Sequence, residues 1–178
     1  MSEISVRRAT SADLCEILKI YAAAREYMRA SGNPSQWGTS YPPRELLSSD
    51  ISEEKLFVAS DGEDILAVFY FDKGPDATYD KIYDGFWQGS ESYSVIHRIA
   101  VSPKARGRGV AKLCFDWCLN VAGEIRIDTH RDNIPMQRAL LKNGFSYCGV
   151  IRIERPSAPT DDCCRLAYHK SLFAPSVE

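Results

Sequence analysis

Residues 99–112 read Ile-Ala-Val-Ser-Pro-Lys-Ala-Arg-Gly-Arg-Gly-Val-Ala-Lys, an apolar run that passes through two glycines into a second apolar series. Glycine tolerates positive φ and lets another group approach the main chain, which suits Gly107 and Gly109 to a loop whose amides face a ligand. A helix beginning at Val110 would leave its first N–H groups without intrahelical partners, at the positive end of the helix dipole. Lys104, Arg106, Arg108 and Lys112 add four positive charges around the same turn. Together these features describe a place for a diphosphate. A solvated structural turn is the plainer reading of a lone Gly-x-Gly. The spacing fits neither the nucleotide loop GxxxxGK[ST] nor the dinucleotide pattern GxGxxG.

The elements that must position this loop follow from periodicity. Residues 4–8 alternate as a strand, and Thr10 and Ser11 offer caps before Leu14, Ile17, Leu18, Tyr21 and Met28 at helical spacing. Gly32, Asn33 and Pro34 stop that helix, and a loop containing Trp37 and Tyr41 leads to a short helix from about Arg44. Residues 55–60 and 64–71 are β-rich runs joined by Asp61-Gly62, a hairpin signal. Residues 72–93 hold Gly74-Pro75, Gly85 and several aromatics, Trp87 and Tyr93 among them, and are expected to form an ordered, functional insertion. Then come a strand over 94–102, a helix over 110–121 closed by Gly123, and a strand over Glu124–Thr129. A helix opened by Asn133 and Pro135 and closed by Gly144 precedes strands over 145–153 and 163–169. The order β-α-α-β-β-β-α-β-α-β-β describes an α/β chain with a mixed, mostly antiparallel sheet flanked by helices.

Composition narrows the functional classes. A chain of 178 residues with 44% hydrophobic residues supports one core, so a single domain over 1–178 is expected. The net charge of −2 supplies no global positive field for nucleic acid or an anionic membrane. The N-terminus is charged and no apolar run reaches bilayer length, so a cytoplasmic protein is expected. Cys15, Cys114, Cys118, Cys148, Cys163 and Cys164 are expected as free thiols, mainly buried, since the chain is not a short secreted scaffold. No CxxC pair occurs, and His97, His130 and His169 are not spaced as paired ligands, so no metal site is expected. Self-association as a homodimer is left open.

Arg106-x-x-Gly109-x-Ala111 resembles the pyrophosphate-binding signature of the GNAT superfamily of N-acetyltransferases, in its usual frame of strand, proline, loop and helix. A second stretch, Asn133, Pro135 and then Lys142-Asn143-Gly144-Phe145, resembles the family's later segment ending in a Gly-Phe pair. The element order resembles the GNAT acyl-CoA N-acyltransferase fold over nearly the whole chain. The resemblance implies that acetyl-CoA is the co-substrate. Its pantetheine arm would pair with the main chain of Ile99, Ala100 and Val101, as an added strand does. Its diphosphate would meet Arg106, Gly107, Arg108, Gly109, Val110, Ala111 and Lys112, and Asn133 would touch the pantetheine or cap a helix, or both.

The implied reaction is attack by an amine, small-molecule or peptide-borne, on the thioester carbonyl. A backbone N–H of the strand at 99–101 would meet the developing oxyanion, by resemblance to the family. A lysine-like amine is protonated at neutral pH, so a base is needed, and His97, Asp128 and His130 are the candidates. Each also has a structural reading: the histidines as satisfied polar groups at strand ends, Asp128 as an ion-pair partner. The family often carries a tyrosine acid where this chain has Leu140, and Tyr93 or Tyr147 are the candidate replacements. Trp37, Tyr41, Trp87 and Tyr93 are the expected acceptor-pocket aromatics. A non-catalytic acyl-CoA-binding module is the alternative reading.

Overall fold

A computed structural model describes residues 3–154, 159 and 161–173. Seven strands form one sheet in the order β1-β2-β3-β4-β5-β7-β6: β1 (Ser5–Arg8), β2 (Leu56–Ser60), β3 (Ile65–Lys73), β4 (Ser94–Val101), β5 (Glu124–Thr129), β6 (Ser146–Arg152) and β7 (Cys164–Ser171). All neighbours are antiparallel except β4 and β5. The helices α1 (Leu14–Ala30) and α2 (Arg44–Ser52) pack on one face, and α3 (Val110–Ala122) and α4 (Ile134–Lys142) are the other two. The predicted order of elements is the observed one, with bounds differing by one or two residues at most ends.

Strand alternation divides the core in two. Phe57, Phe69 and Phe71 reach the α3 side and surround Trp117, with ring centroids 5.1, 6.2 and 5.7 Å away. Ile96, Ile125 and Ile127 join them there with Cys114, Phe115 and Cys118. On the opposite face Val58, Val68 and Ala100 meet Ile17, Tyr21 and Leu47. Each fully buried aliphatic side chain contributes about 1.5–3 kcal/mol, so both helix pairs are tied to the sheet by burial. Cys114 and Cys118 lie on the apolar stripe of α3, and burial pushes the Cys114 thiol up to about 12. Cys148 is also buried, Cys163 and Cys164 are half-buried and Cys15 is exposed; all six are free.

Two departures from regular pairing open the sheet at its centre. The parallel pair β4–β5 is registered only from Ser94↔Ile125 to Ile96↔Ile127, after which the strands part. In β4 the register slips between Val68↔Ala100 and Tyr70↔His97, so Arg98 and Ile99 face the single residue Phe69. Arg98 takes φ +53°, uncommon for a residue with a β-carbon. Its carbonyl accepts the Tyr21 hydroxyl at 2.8 Å and its Nη2 donates to Asp50 at 2.6 Å, which hold the bulge from α1 and α2. The wedge beyond Ile96 therefore exposes β4 main chain that β5 does not use.

Candidate active site

A cleft of 820 Å³ runs through this wedge. On its α3–α4 side it is lined by Ala105, Arg106, Gly107, Gly109, Val110, Ala111, Met136 and Ala139, and on its α1–α2 side by Trp37, Tyr41, Asp50, Tyr70, Asp76, His97, Arg98 and Asp128. Ile99, Ala100 and Val101 lie along its floor, and Thr129, Asn133 and Arg165 also face it.

The glycine loop is a main-chain device. Ser102 starts a 3-10 turn over Pro103–Ala105, and Gly107 and Gly109 follow at φ +76° and +78°. Gly109 is the N-cap of α3 and has no side chain to satisfy the first amides of that helix. A β-carbon built at either glycine meets nothing within 4 Å, so conformation rather than crowding requires glycine here. The basic side chains spread outward. Arg106 lies over the Tyr27 ring at 4.3 Å and donates to Ala23 O at 3.2 Å, Lys104 pairs with Asp64 at 2.7 Å, and Lys112 pairs with Asp116. Arg108 and Lys112, expected at the diphosphate, do not line the cleft, whereas Arg106, Gly107, Gly109, Val110 and Ala111 do.

On the other side of the wedge His97 stands between two carboxylates. Its Nε2 is 2.8 Å from Asp76 Oδ2 and its Nδ1 is 3.7 Å from Asp128 Oδ1. Burial works to raise the Asp76 carboxyl, but the His97 bond, the Thr78 hydroxyl and the Thr78 amide outweigh it and hold it at about 2. An ionised carboxylate only accepts, so Nε2 carries a hydrogen toward Asp76, and Nδ1 is the ring nitrogen turned toward Asp128. Asp128 accepts the Tyr79 hydroxyl at 2.7 Å. Burial first, and then Asp128, push the Tyr79 phenol well above its ordinary value, so it remains a donor. An imidazole held in this way beside a carboxylate is an arrangement that can take a proton.

A family model described as "Acetyltransferase (GNAT) family" matches residues 17–145, well over half of the chain. The chain belongs to the GNAT acetyltransferase family. A GNAT-family acetyltransferase from Streptococcus agalactiae 2603 superposes with TM-score 0.84 at 29% identity, covering 96% of each chain. A putative acetyltransferase from Staphylococcus aureus MU50 gives TM-score 0.66 at 26% identity over 94% of this chain and 99% of its own. A putative acetyltransferase from Salmonella typhimurium, solved with acetyl-CoA, shares the fold at TM-score 0.62 and 13% identity over 98% of this chain and 96% of its own. No curated protein shows a significant sequence match.

Within this GNAT acetyltransferase several expected residues lie elsewhere. Trp87 and Tyr93 do not line the cleft: both rings sandwich Arg126, at 4.5 and 3.8 Å from its guanidinium, and pack the insertion onto the sheet with Tyr79. His130 lies past the end of β5 and outside the cleft. Its Nδ1 accepts the Asp132 amide at 3.1 Å, and it is 97% buried. Strand alternation predicts a common face with Asp128, but the strand ends at Thr129 and the chain turns. His130, Asp161 and Asp162 come together as groups that could hold a metal, which sequence spacing did not suggest. Asp161 is already bound by Arg165 at 2.8 and 2.6 Å, a cation that opposes a second one. Asn133 lines the cleft, but its Oδ1 caps Met136 N at 3.3 Å and its Nδ2 donates to Gln36 at 3.0 Å.

Leu140 is fully buried in the core beneath α4 and does not face the cleft. Tyr147 is exposed on β6 and the Tyr93 hydroxyl accepts the Asp76 amide, so neither replaces the absent phenol. The tyrosines that do face the cleft are Tyr27, Tyr41 and Tyr70. Tyr70 donates to Asp72 at 3.2 Å, and burial, reinforced by Asp72, pushes it up to about 12. Sequence reading also missed Asp76, Tyr79, Asp50, Arg98 and Thr129. Asp76 sits in a region read correctly as an ordered insertion, but nothing in its neighbours marks it as the partner of a histidine 21 residues away.

Proposed function

We propose that this protein transfers the acetyl group of acetyl-CoA to the nitrogen of an amine, within one domain formed by residues 1–178. The observation that carries this reading is His97, held by Asp76 and faced by Asp128, on one side of a wedge whose other side is the glycine loop at the start of α3. The residues present fit acetyl-CoA on a further point. Thr129 is 1% exposed, lines the cleft, and its hydroxyl has no hydrogen-bond partner among the described residues. Strand alternation gives it the parity of Ile127, on the α3–α4 side where the arm of the co-substrate would run. A buried hydroxyl without a partner costs about 1–3 kcal/mol, which a ligand acceptor or donor there would recover.

Bound acetyl-CoA supplies a thioester carbonyl. The chain's own groups do the rest. Amides at the start of α3 and the glycine loop hold the diphosphate, and the free main chain of β4 from Ile99 to Val101 pairs with the arm and offers the oxyanion an N–H. Asp128 accepts a hydrogen bond from the incoming ammonium and holds it beside His97. Nδ1 of His97 then removes the proton, directly or through one water, while Asp76 balances the charge that forms on the ring. No phenol is required at the leaving thiolate, because a thiol of ordinary pKa near 8.5 leaves without full protonation.

Thiol release from acetyl-CoA across a panel of amines and peptides tests the proposal. Time-dependent release that needs an amine, and that falls at least about a hundredfold in His97→Gln, is the expected result. Acetyl-CoA binding without transfer to any amine would reject catalysis and leave an acyl-CoA-binding module.

A further inference from the structure

Resting on the reading of this cleft as an amine acetylation site, we infer that its acceptors are cationic primary amines with no carboxylate near the nitrogen. Simple amines and α-amino amides enter; free α-amino acids do not.

The argument lies in how the charges on the acceptor wall are paired. Two arginines face the cleft there, the groups with which a protein would hold an acceptor carboxylate. Both are already taken. Arg98 gives Nη2 to Asp50 at 2.6 Å, and Arg165 gives Nη1 and Nη2 to Asp161 at 2.8 and 2.6 Å. Burial pushes the Asp50 carboxyl up against the pull of Arg98, but a carboxylate starting near 4 and facing a guanidinium is the anion of that pair. Among the described residues Asp76 has no arginine or lysine partner, and Asp128 has only a share of the arginine that Asp161 holds. Asp76 is met by His97 and Thr78, and Asp128 by the neutral Tyr79 hydroxyl and, at 3.8 Å, by Nε of Arg165, whose Nη1 and Nη2 bind Asp161. Among the described residues, then, two arginines stand against Asp50, Asp76, Asp128 and the buried Asp161, and that balance stays negative whether His97 is neutral or protonated.

An ammonium is attracted to such a wall, and a carboxylate one carbon away from it is repelled by Asp76 and Asp128 with no unpaired guanidinium among the described residues of this wall to receive it. Arg98 Nε is buried without a partner among the described residues. A neutral oxygen such as an amide carbonyl satisfies it without adding charge. Trp37, Tyr41 and Tyr70 give an aromatic lining for an apolar stem.

The test uses matched acceptors: phenethylamine, phenylalaninamide and phenylalanine, then isoamylamine, leucinamide and leucine. Each is measured by kcat/KM with acetyl-CoA, and by calorimetric binding to the protein saturated with CoA. The amine and amide of each set should exceed the acid by about a hundredfold. Asp50→Asn, which frees Arg98 to receive a carboxylate, should narrow that gap about tenfold. Phenylalanine and leucine used within about threefold of their amides, in the wild-type protein, would overturn the inference while leaving acetylation intact. An unchanged gap in a folded Asp50→Asn variant would overturn it too. Absence of thiol release with all six compounds, under conditions where acetyl-CoA binds, would reject the acetylation reading and this inference with it.

Discussion

One wall of the cleft, the glycine loop, comes from a single stretch of chain, whereas the opposite wall gathers Trp37, Asp50, Asp76, His97 and Asp128 from distant segments. On the proposed reading the loop would bind through main-chain N–H groups and two residues at positive φ, with Lys104 and Lys112 paired to acidic neighbours. The other wall is made of side chains that depend on one another, as when Asp76 binds Nε2 of His97 and leaves Nδ1 turned toward Asp128. A site built from main chain tolerates many substitutions but not a change of glycine. A site built from side-chain pairs responds at each member. Breaking the two walls separately therefore distinguishes binding from turnover.

The largest effect is expected at the loop. Gly109→Asp adds a negative charge where the diphosphate would lie, and the open space around its β-carbon means that the fold survives with only the strain of φ +78°. Calorimetry should show acetyl-CoA affinity lowered by more than about a hundredfold in a protein with an intact circular dichroism spectrum. Unchanged affinity in the folded variant would place the diphosphate elsewhere. On the opposite wall, His97→Gln keeps size and polarity but not proton transfer. Turnover should fall about a hundredfold while acetyl-CoA affinity holds, the converse of the loop variant. Equal turnover would shift the base to Asp128.

Asp76→Asn tests whether the carboxylate orients the ring. Asparagine can hold either tautomer, so turnover should fall at least about tenfold, less than for loss of the imidazole itself. A second readout follows from linkage. The Asp76 carboxyl is held at about 2 in the folded protein, below its unfolded value near 4, so its contribution to stability is fully present above pH 4 and is lost as pH falls through 2. That contribution is on the order of 2 kcal/mol. Urea midpoints measured between pH 5 and pH 2 should decline less steeply in Asp76→Asn than in the wild type; identical slopes would mean that the carboxylate is not held low.

The same contrast explains what could be read from the chain alone. Strand and helix periodicity, the Asp61-Gly62 hairpin and the glycine at the start of α3 are local signals, and they led to the observed element order and to the loop that lines the cleft. The partners of His97 are set by tertiary packing. Asp76 reaches it only because the 72–93 insertion folds back across β4, and the aromatics that made that insertion conspicuous, Trp87 and Tyr93, are what anchor it to Arg126. Large aromatics at a suspected site thus pointed to the right segment for the wrong reason. Alternation also failed at His130, because period two holds only while the strand lasts. Leu140 marked a real absence, but its burial means that restoring a tyrosine there must first overcome overpacking, costing about 1–3 kcal/mol.

The smallest effect belongs to Thr129, at the junction of the two walls, and it is recognisable by its sign. Valine has nearly the same shape and suits a strand, so Thr129→Val removes only a hydroxyl that is buried without a partner among the described residues. Removing such a group relieves its desolvation cost, so the free protein should melt at the same temperature or a few degrees higher, about 2–4 °C for a gain near 1 kcal/mol. If the hydroxyl meets the arm of acetyl-CoA, the variant also loses one hydrogen bond to the ligand, and affinity falls about fivefold to tenfold. The two effects oppose each other, so the thermal shift produced by saturating acetyl-CoA should shrink in the variant although its unliganded melting temperature does not fall. A variant destabilised without ligand would show that the hydroxyl has a partner within the protein. An undiminished shift would show that the arm passes it by, and the α3–α4 wall would then bind the co-substrate through its main chain alone.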